Sequence, residues 1–221
     1  MKNLNQIVQG IKDWTSKMSS KAWDAPFANR IQFAITNPSA LPLANSSDFI
    51  NVYLLWMDNS LNALLIQSTY DTDDAYDTSA SRAIARSKML IVPVSSWSGV
   101  PTASTNMDPS HLYAITDAKA KERTDAFMVS ASRSAAKSYN GTGPIMFQIP
   151  GDDWSTQGTI GLYFGLKIIT EAGVVKTTYD MIVSNEVTAP TASKFYYNAS
   201  RPMPPMMPST FSAGLEKYAK L

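Results

Sequence analysis

Two runs of residues with alternating side-chain character lie within residues 159–183. The first run carries apolar side chains at every second position, namely Ile160, Leu162, Phe164, Leu166 and Ile168. In the second run Val175, Thr177, Tyr179, Met181 and Val183 alternate with Lys176, Thr178 and Asp180. A period of two residues is that of a β-strand with one buried face. Because Glu171, Ala172 and Gly173 lie between the runs, the sequence predicts a long β-hairpin.

Shorter extended runs recur from residue 29 onward, separated by turn residues. They predict strands at 29–36, 49–57, 62–70, 87–94, 125–132 and 144–149, with weaker candidates at 111–116 and 193–198. A short helical turn is expected at 117–124. About 8–10 strands with this spacing are typical of an antiparallel sandwich or barrel and not of alternating β-α units. We therefore expect an all-β fold.

The first residues follow a different period. Apolar side chains recur at steps of three and four residues, at Leu4, Ile7, Val8, Ile11, Trp14, Met18 and Ala22. This spacing predicts an amphipathic helix, which Pro26 would end. Such a helix packs on its own domain or on a partner, or lies at a membrane interface, where its lysines would face the lipid headgroups.

The C-terminal stretch 201–209 holds four prolines and three methionines, so it cannot be a paired central strand. It is expected to be an extended arm, either loose in solvent or docked on a neighbouring subunit, and Phe211, Leu215 and Tyr218 follow at a spacing that suits a terminal anchor. The predicted organisation is a helical extension at 1–26, a β body at 27–199 and an arm at 200–221.

The amino-acid composition limits the classes of function that this chain can have. The formal net charge is +1, so the overall field cannot hold nucleic acid or an anionic membrane, and such contacts must be local. There is no cysteine and a single histidine, His111, which is expected to be structural. Thiol nucleophiles, cysteine-ligated zinc and most histidine-based triads are thereby excluded, and we expect no enzymatic activity. No apolar run reaches the roughly 18 residues of a membrane span, which favours a cytosolic product.

Four aspartates lie close together directly after a predicted strand, namely Asp71, Asp73, Asp74 and Asp77. Carboxylates at this density suit a hard cation such as calcium, although the spacing is not that of an EF-hand. The alternative is that they cap turns and a short helix near 79–86. The short Asp71-Thr72-Asp73 pattern also fits the metal-binding motif of nucleotide-sugar transferases, but no parallel β-α architecture surrounds it.

Two passages carry a resemblance to a known family. The run Ser68-Thr69-Tyr70-Asp71-Thr72-Asp73-Asp74-Ala75, and later Gly158-Thr159-Ile160-Gly161-Leu162-Tyr163-Phe164-Gly165-Leu166, resemble in sequence and order two passages of the coat proteins of small icosahedral positive-strand RNA viruses of plants and insects. That resemblance implies a single jelly-roll sandwich that tiles a shell around a genome. It also implies calcium between subunits, with Asp71, Asp73, Asp74 and Asp77 as the positions to watch.

The same resemblance implies partners and location. The chain is expected to assemble with many copies of itself, and with other coat proteins where a shell has them, in the virion and before that in the host cytoplasm. The expected subunit contacts are Trp14, Met203, Met206, Met207 and Phe211. Members of the family often begin with an arginine-rich arm, which this chain lacks, so packaged nucleic acid would be contacted weakly.

A second class of protein fits the same sequence. A calcium-dependent β-sandwich module could hold a glycan with the aspartate cluster and with exposed Trp97, Tyr113 or Trp154. Glycan binding by a monomer would favour this alternative.

Overall fold

The computed structural model describes residues 2–20, 23–41, 48–97, 114–140, 143–154, 158–171, 173–186, 195–197, 201–203 and 214–215. Its strands are β1 (Ile31–Ile35), β2 (Phe49–Met57), β3 (Ser60–Gln67), β4 (Leu90–Ser96), β5 (Ala114–Thr116), β6 (Met146–Pro150), β7 (Thr159–Glu171), β8 (Val174–Glu186), β9 (Phe195–Tyr197) and β10 (Arg201–Met203). Its α-helices are α1 (Leu4–Met18), α2 (Ser79–Ser87), α3 (Asp117–Met128) and α4 (Ser130–Asn140).

The strands form one continuous antiparallel sheet in the order β10-β6-β2-β3-β4-β1-β7-β8-β9-β5. Strand β4 joins the two halves of this sheet, since Leu90–Pro93 pair with β3 and Val94–Ser96 pair with β1. The sheet curls so far that β10, at one end of the order, packs against β8. The result is a barrel-like β body, which agrees with the predicted antiparallel class.

Two hairpins are set by local sequence. The turn between β2 and β3 is made by Asp58 and Asn59, whose φ angles of 52° and 59° lie in the left-handed region that Asp and Asn tolerate. The turn between β7 and β8 has Gly173 at φ 79°, and these two strands pair along their whole length from Thr159 to Glu171. The alternating run of residues 159–183 is therefore confirmed as one long hairpin.

Helix α1 lies on the β body instead of standing apart from it. Its N-terminus is closed by a capping box, in which Asn3 and Gln6 each accept a hydrogen bond from the other's backbone N–H. Helix α1 packs against β2, and four residues of the predicted apolar stripe are buried in the same hydrophobic core as the strands, namely Ile7, Ile11, Trp14 and Met18. Helix α1, which the sequence predicts as part of an N-terminal extension, is thus a layer of the domain.

The prediction of a strand at 125–132 is wrong, because this segment ends α3 and begins α4. Thr116 caps α3 by accepting from the backbone N–H of Lys119, and the helix is far longer than the turn expected at 117–124. Its buried side chains, Ala120, Thr124 and Phe127, recur at helical spacing and face β7. Phe127, Met128 and Val129 form a short apolar run of the kind found in strands. The helical spacing of the buried side chains distinguishes the segment from a strand.

The centre of the core is aromatic. Phe164 of β7 lies against Phe27, Phe33, Phe127 and Phe147, with ring centroids 5.1 to 6.1 Å apart. These five rings come from the segment before β1, from β1, α3, β6 and β7. Phe164 therefore ties the helical layer to both halves of the sheet.

Candidate functional site

The acidic segment 71–77 follows β3 and is folded as a series of tight turns. A 3-10 turn at Ser68–Tyr70 leads into Asp71, a second one spans Asp73–Tyr76, and α2 begins after its cap, Thr78. Asp73 and Asp74 occupy the first turn of the second element, where carboxylates suit exposed backbone N–H groups. The helix predicted near 79–86 is confirmed.

Asp71 is separated from the other aspartates by burial, for its exposed fraction is 0%. Its Oδ2 accepts from the Asn51 amide and the Tyr53 hydroxyl, both at 2.6 Å. Its Oδ1 accepts from the Tyr76 hydroxyl at 3.0 Å and from the backbone N–H of Leu215 at 2.7 Å. Charge-assisted bonds of this number are what a buried carboxylate requires.

The network continues inward across the sheet. Gln148 of β6 donates from Nε2 to the Asn51 side-chain oxygen at 2.9 Å, and Asn51 in turn donates to Asp71. Both amides are buried. In the register of the sheet, Gln148 lies opposite Arg201 of β10, where the C-terminal arm starts. A chain of buried side-chain hydrogen bonds therefore runs from Gln148 through Asn51 to Asp71, where Leu215 docks.

The C-terminal segment Gly214–Leu215 is seated on Asp71 by its backbone. Besides the Leu215 bond, the N–H of Gly214 donates to the Asp71 carbonyl at 2.8 Å. Leu215 itself is 0% exposed and belongs to the main core. A methyl group on Gly214 would lie 2.0 Å from the Thr72 carbonyl oxygen, so only glycine fits. The sequence predicts Leu215 as part of a terminal anchor, and its burial in the core does attach the arm to the β body.

Burial controls the electrostatics of this site. Removal from water raises the pKa of the Asp71 carboxyl to about 6, against the lowering effect of the hydrogen bonds from Tyr53, Asn51, Leu215 and Tyr76. The pKa of Tyr76 is raised above its ordinary range, first by burial and then by the neighbouring carboxylate. Asp71 thus titrates in a mildly acidic range while Tyr76 stays neutral.

The four predicted calcium ligands are not gathered into one site. Asp73, Asp74 and Asp77 are exposed, whereas Asp71 is enclosed by groups that present N–H and O–H hydrogens to it. Over the residues that the structure describes, no three His, Cys, Asp or Glu side chains are grouped to hold a metal ion. The donor set around Asp71 does not fit a cation.

The expected subunit contacts fall in two places. Trp14 is 0% exposed within its own chain and donates from Nε1 to the Pro144 carbonyl oxygen at 2.8 Å, so it offers no surface to a neighbour. Met203 ends β10, whose backbone pairs with β6. Met206, Met207 and Phe211 lie outside the described residues, as does His111.

The aromatic residues considered for glycan stacking are engaged elsewhere or lie outside the described part. Trp97 is half-buried, donates to the Ile31 carbonyl oxygen at 3.0 Å and meets Tyr163 edge-on. Trp154 is 7% exposed. Tyr113 is not among the described residues. No observation on these side chains favours the glycan-binding alternative.

Sequence reasoning missed the residues that build the Asp71 site, namely Asn51, Tyr53, Tyr76, Gln148 and Gly214. One signal was present: Asn51 interrupts the apolar strand FINVYLLWM, and Gln148 interrupts IMFQI. A polar amide within a buried strand requires a buried partner. The partners themselves come from three distant segments, which no local pattern connects.

The far end of the β7–β8 hairpin is a second unusual surface. β1 pairs with β7 only from Ile160 to Tyr163, and β9 pairs with β8 at Val183. Beyond these points the two strands pair with each other, and Ile168 and Val175, exposed by 70% and 69%, share one face near the tip. Large apolar side chains this exposed indicate a contact surface.

Beneath the hairpin lies a buried ion cluster. Arg123 of α3 donates to Asp180 of β8 at 2.8 Å, and Lys167 of β7 is 3.8 Å from the same carboxylate. Asp180 is 0% exposed and the Arg123 side chain 11%. The cluster fixes α3 on the hairpin, away from the tip where Ile168 and Val175 are exposed.

Comparison of the chain with protein-family models, with curated proteins and with solved structures finds no significant match. Over the helices of the described residues, none has the length and apolar character needed to cross a lipid bilayer.

Proposed function

We propose that this chain is a viral coat protein that assembles with copies of itself into a shell around a genome. The observation that carries the proposal is the projecting β7–β8 hairpin, with Ile168 and Val175 exposed at its tip. Contact between such tips and neighbouring subunits would bury apolar surface and cover strand edges that otherwise invite uncontrolled pairing. The two passages that resemble coat proteins support the same conclusion.

A jelly-roll wiring of the sandwich is part of this proposal. In the described strands, β2 and β3 form a hairpin, β4 lies beside β3 after the connection through α2, and β1 lies beside β4. That order, 1-4-3-2, is a Greek key, the unit from which jelly rolls are built. An experimental structure of the assembled particle would decide whether a second Greek key completes the jelly roll.

Calcium at subunit contacts is the other part carried over from the family. Of the four aspartates, Asp73, Asp74 and Asp77 are exposed, and within the described part of one chain they are not grouped to hold a metal ion, so a shared site would need ligands from a neighbouring subunit. Asp71 takes no part in it. Packaged nucleic acid and any further coat proteins would be met by local surfaces, since the net charge is only +1.

The test is negative-stain electron microscopy and light scattering of the purified full chain at neutral pH, with calcium and with a chelator. Uniform closed particles would support the shell function, and their loss on chelation would support interfacial calcium. Particles unaffected by chelation would remove calcium from the proposal. Monomers at every pH, salt and calcium concentration, also in the presence of RNA, would contradict the shell function.

A further inference from the structure

Asp71, a single residue of the β body, accepts hydrogen bonds from both described residues of the C-terminal segment, Gly214 and Leu215. Asp71 accepts from Gly214 N–H with its backbone carbonyl and from Leu215 N–H with its carboxylate. The segment contributes main-chain donors and the Leu215 side chain, which fills the core. In the described network, the other donors to the Asp71 carboxylate are Asn51 and Tyr53 of β2 and Tyr76 of the turn before α2. The docked segment adds the donor from the far part of the chain.

The groups around the carboxylate can satisfy either of its protonation states. The Asn51 side-chain NH₂ group and the Leu215 N–H can only donate, whereas the hydroxyls of Tyr53 and Tyr76 can turn and accept a hydrogen bond from the carboxylic acid. The docked site is therefore compatible with an ionised and with a neutral Asp71.

The groups that face Asp71 carry little charge. From β2 come Asn51 and Tyr53; from the 3-10 turn comes Tyr76; from β6 comes Gln148, through Asn51. The exposed Asp73 and Asp74 of the same turn point to solvent-accessible positions. Of the groups that bond directly to the carboxylate, only the two tyrosines titrate, and Tyr76 does so far above neutral pH.

We propose that Gly214–Leu215 is a detachable latch whose docking on Asp71 takes up a proton, so that acid closes the latch and a rise in pH loosens it. The proposal concerns a single chain and goes beyond the shell function. Opening would let water reach a carboxylate that is otherwise wholly buried, and hydration favours its ionised form. Closing favours the neutral form for the same reason.

The sign and the range follow from linkage. In the docked state burial raises the pKa of Asp71 to about 6, whereas in a hydrated open state it approaches the ordinary value of 3.8. The docking constant therefore falls as pH rises from about 4 to about 6, by at most about tenfold per unit and about a hundredfold in all, and it is constant above about 7. The docked pKa of about 6 already includes the lowering effect of the Leu215 bond, which is smaller than the effect of burial.

The test is amide hydrogen exchange of the full chain by NMR between pH 4.5 and 7.5, corrected for intrinsic exchange rates. The Leu215 amide reports docking directly, and the Leu64 amide in the middle of β3 reports global unfolding. We expect Leu215 to exchange faster than Leu64 and its protection to fall as pH rises to about 6. Equal protection of both amides, or Leu215 protection that is flat or rises with pH, would overturn the proposal.

Two variants identify the group. Asp71→Asn keeps an acceptor for Leu215 but cannot ionise, so the pH dependence of Leu215 protection should disappear, whereas the matched variant Asp77→Asn, exposed in the same segment, should keep it. Should Asp71→Asn fail to fold, Tyr76→Phe decides. It removes a donor that lowers the pKa of Asp71, so the upper edge of the pH range should move to higher pH. An unchanged edge, or pH dependence that survives in Asp71→Asn, would refute the latch.

Discussion

The backbone N–H of Leu215 lies 2.7 Å from Oδ1 of Asp71, a hydrogen bond that joins residues 144 positions apart. It fixes the far end of the arm on the chain's own body, while β10 fixes the near end on β6. The buried amides of Gln148, on β6, and Asn51 are hydrogen-bonded in series to the Asp71 carboxylate. The described parts of the arm thus contact their own chain.

Gly214→Ala is expected to expel the C-terminal segment. The added methyl group would lie 2.0 Å from the Thr72 carbonyl oxygen, which is backbone and cannot move aside. Hydrogen exchange at the Leu215 amide should accelerate by at least tenfold, which is about 1.4 kcal/mol. The control is Gly173→Ala, which meets no neighbouring atom but strains a turn with φ 79°. It should lower overall stability without a selective effect on Leu215, and equal effects of the two variants would contradict the seat described for Gly214.

Overall stability should increase on mild acidification. Burial raises the pKa of Asp71 to about 6 and, with the charge of Asp152, that of Asp153 to about 7, both above the unfolded value of 3.8. The folded state therefore binds protons that the unfolded state releases between about pH 4 and 7, and the free energy of unfolding should rise by a few kcal/mol as pH falls through this range. Denaturation by urea at a series of pH values measures it.

The residue assignment of this pH effect is tested with Asp71→Asn and Asp153→Asn. Each should reduce the slope over its own range, Asp71 between about pH 4 and 6 and Asp153 between about pH 4 and 7. The exposed Asp77→Asn should leave the profile unchanged. A profile that both buried-site variants leave intact would show that other groups cause it.

Asp180→Asn should destabilise the fold by about 3–5 kcal/mol, because it removes the counter-charge of the largely buried Arg123 and of Lys167. Urea denaturation checks the value. Glu122→Gln is the control, since it breaks the exposed pair with Lys119 and should change stability by less than about 0.5 kcal/mol. Similar losses in both variants would argue that burial does not distinguish the two ion pairs.

Trp14→Phe tests whether α1 is part of the core. It deletes the bond from Nε1 to Pro144, leaves that carbonyl oxygen without this donor, and empties space beside Phe27 and Trp56. We expect a loss of about 2–4 kcal/mol in the free energy of unfolding. Lys12→Ala, exposed on the same helix, should have almost no effect. A tolerated Trp14→Phe would indicate that the helix is only loosely attached.

Val175→Lys tests the hairpin tip as a shell contact. A lysine here is readily solvated in the monomer, so the free energy of unfolding should not change, but burial of its charge against a neighbour should abolish particles in electron microscopy. Ile84→Lys replaces an apolar side chain of similar exposure, 56%, on α2 and serves as the control. Normal particles from the Val175 variant would exclude the tip from the interface.

Local sequence determined the elements that repeat a clear period. The alternation over 159–183 made the β7–β8 hairpin with Gly173 at its turn, and the three- and four-residue steps made α1. Pro26 does not end α1, which already ends at Met18, and lies in a separate 3-10 turn at Ala25–Phe27. These elements follow from backbone geometry and from the need to bury one face, which neighbouring residues encode. The strand predicted at 125–132 was wrong because a short apolar run suits a strand and a helix equally. Packing on β7 favoured the helix.

Only the tertiary structure decided what the aspartates do. In the sequence Asp71, Asp73, Asp74 and Asp77 look alike, and their density indicated a metal. Folding buried the first under Leu215 and left the others in solvent. That difference arises from donors on β2, on the following turn and at the chain's far end, which meet only when the sheet has closed. Charge density can be read from the sequence, whereas burial and hydrogen-bond partners depend on segments far apart along it.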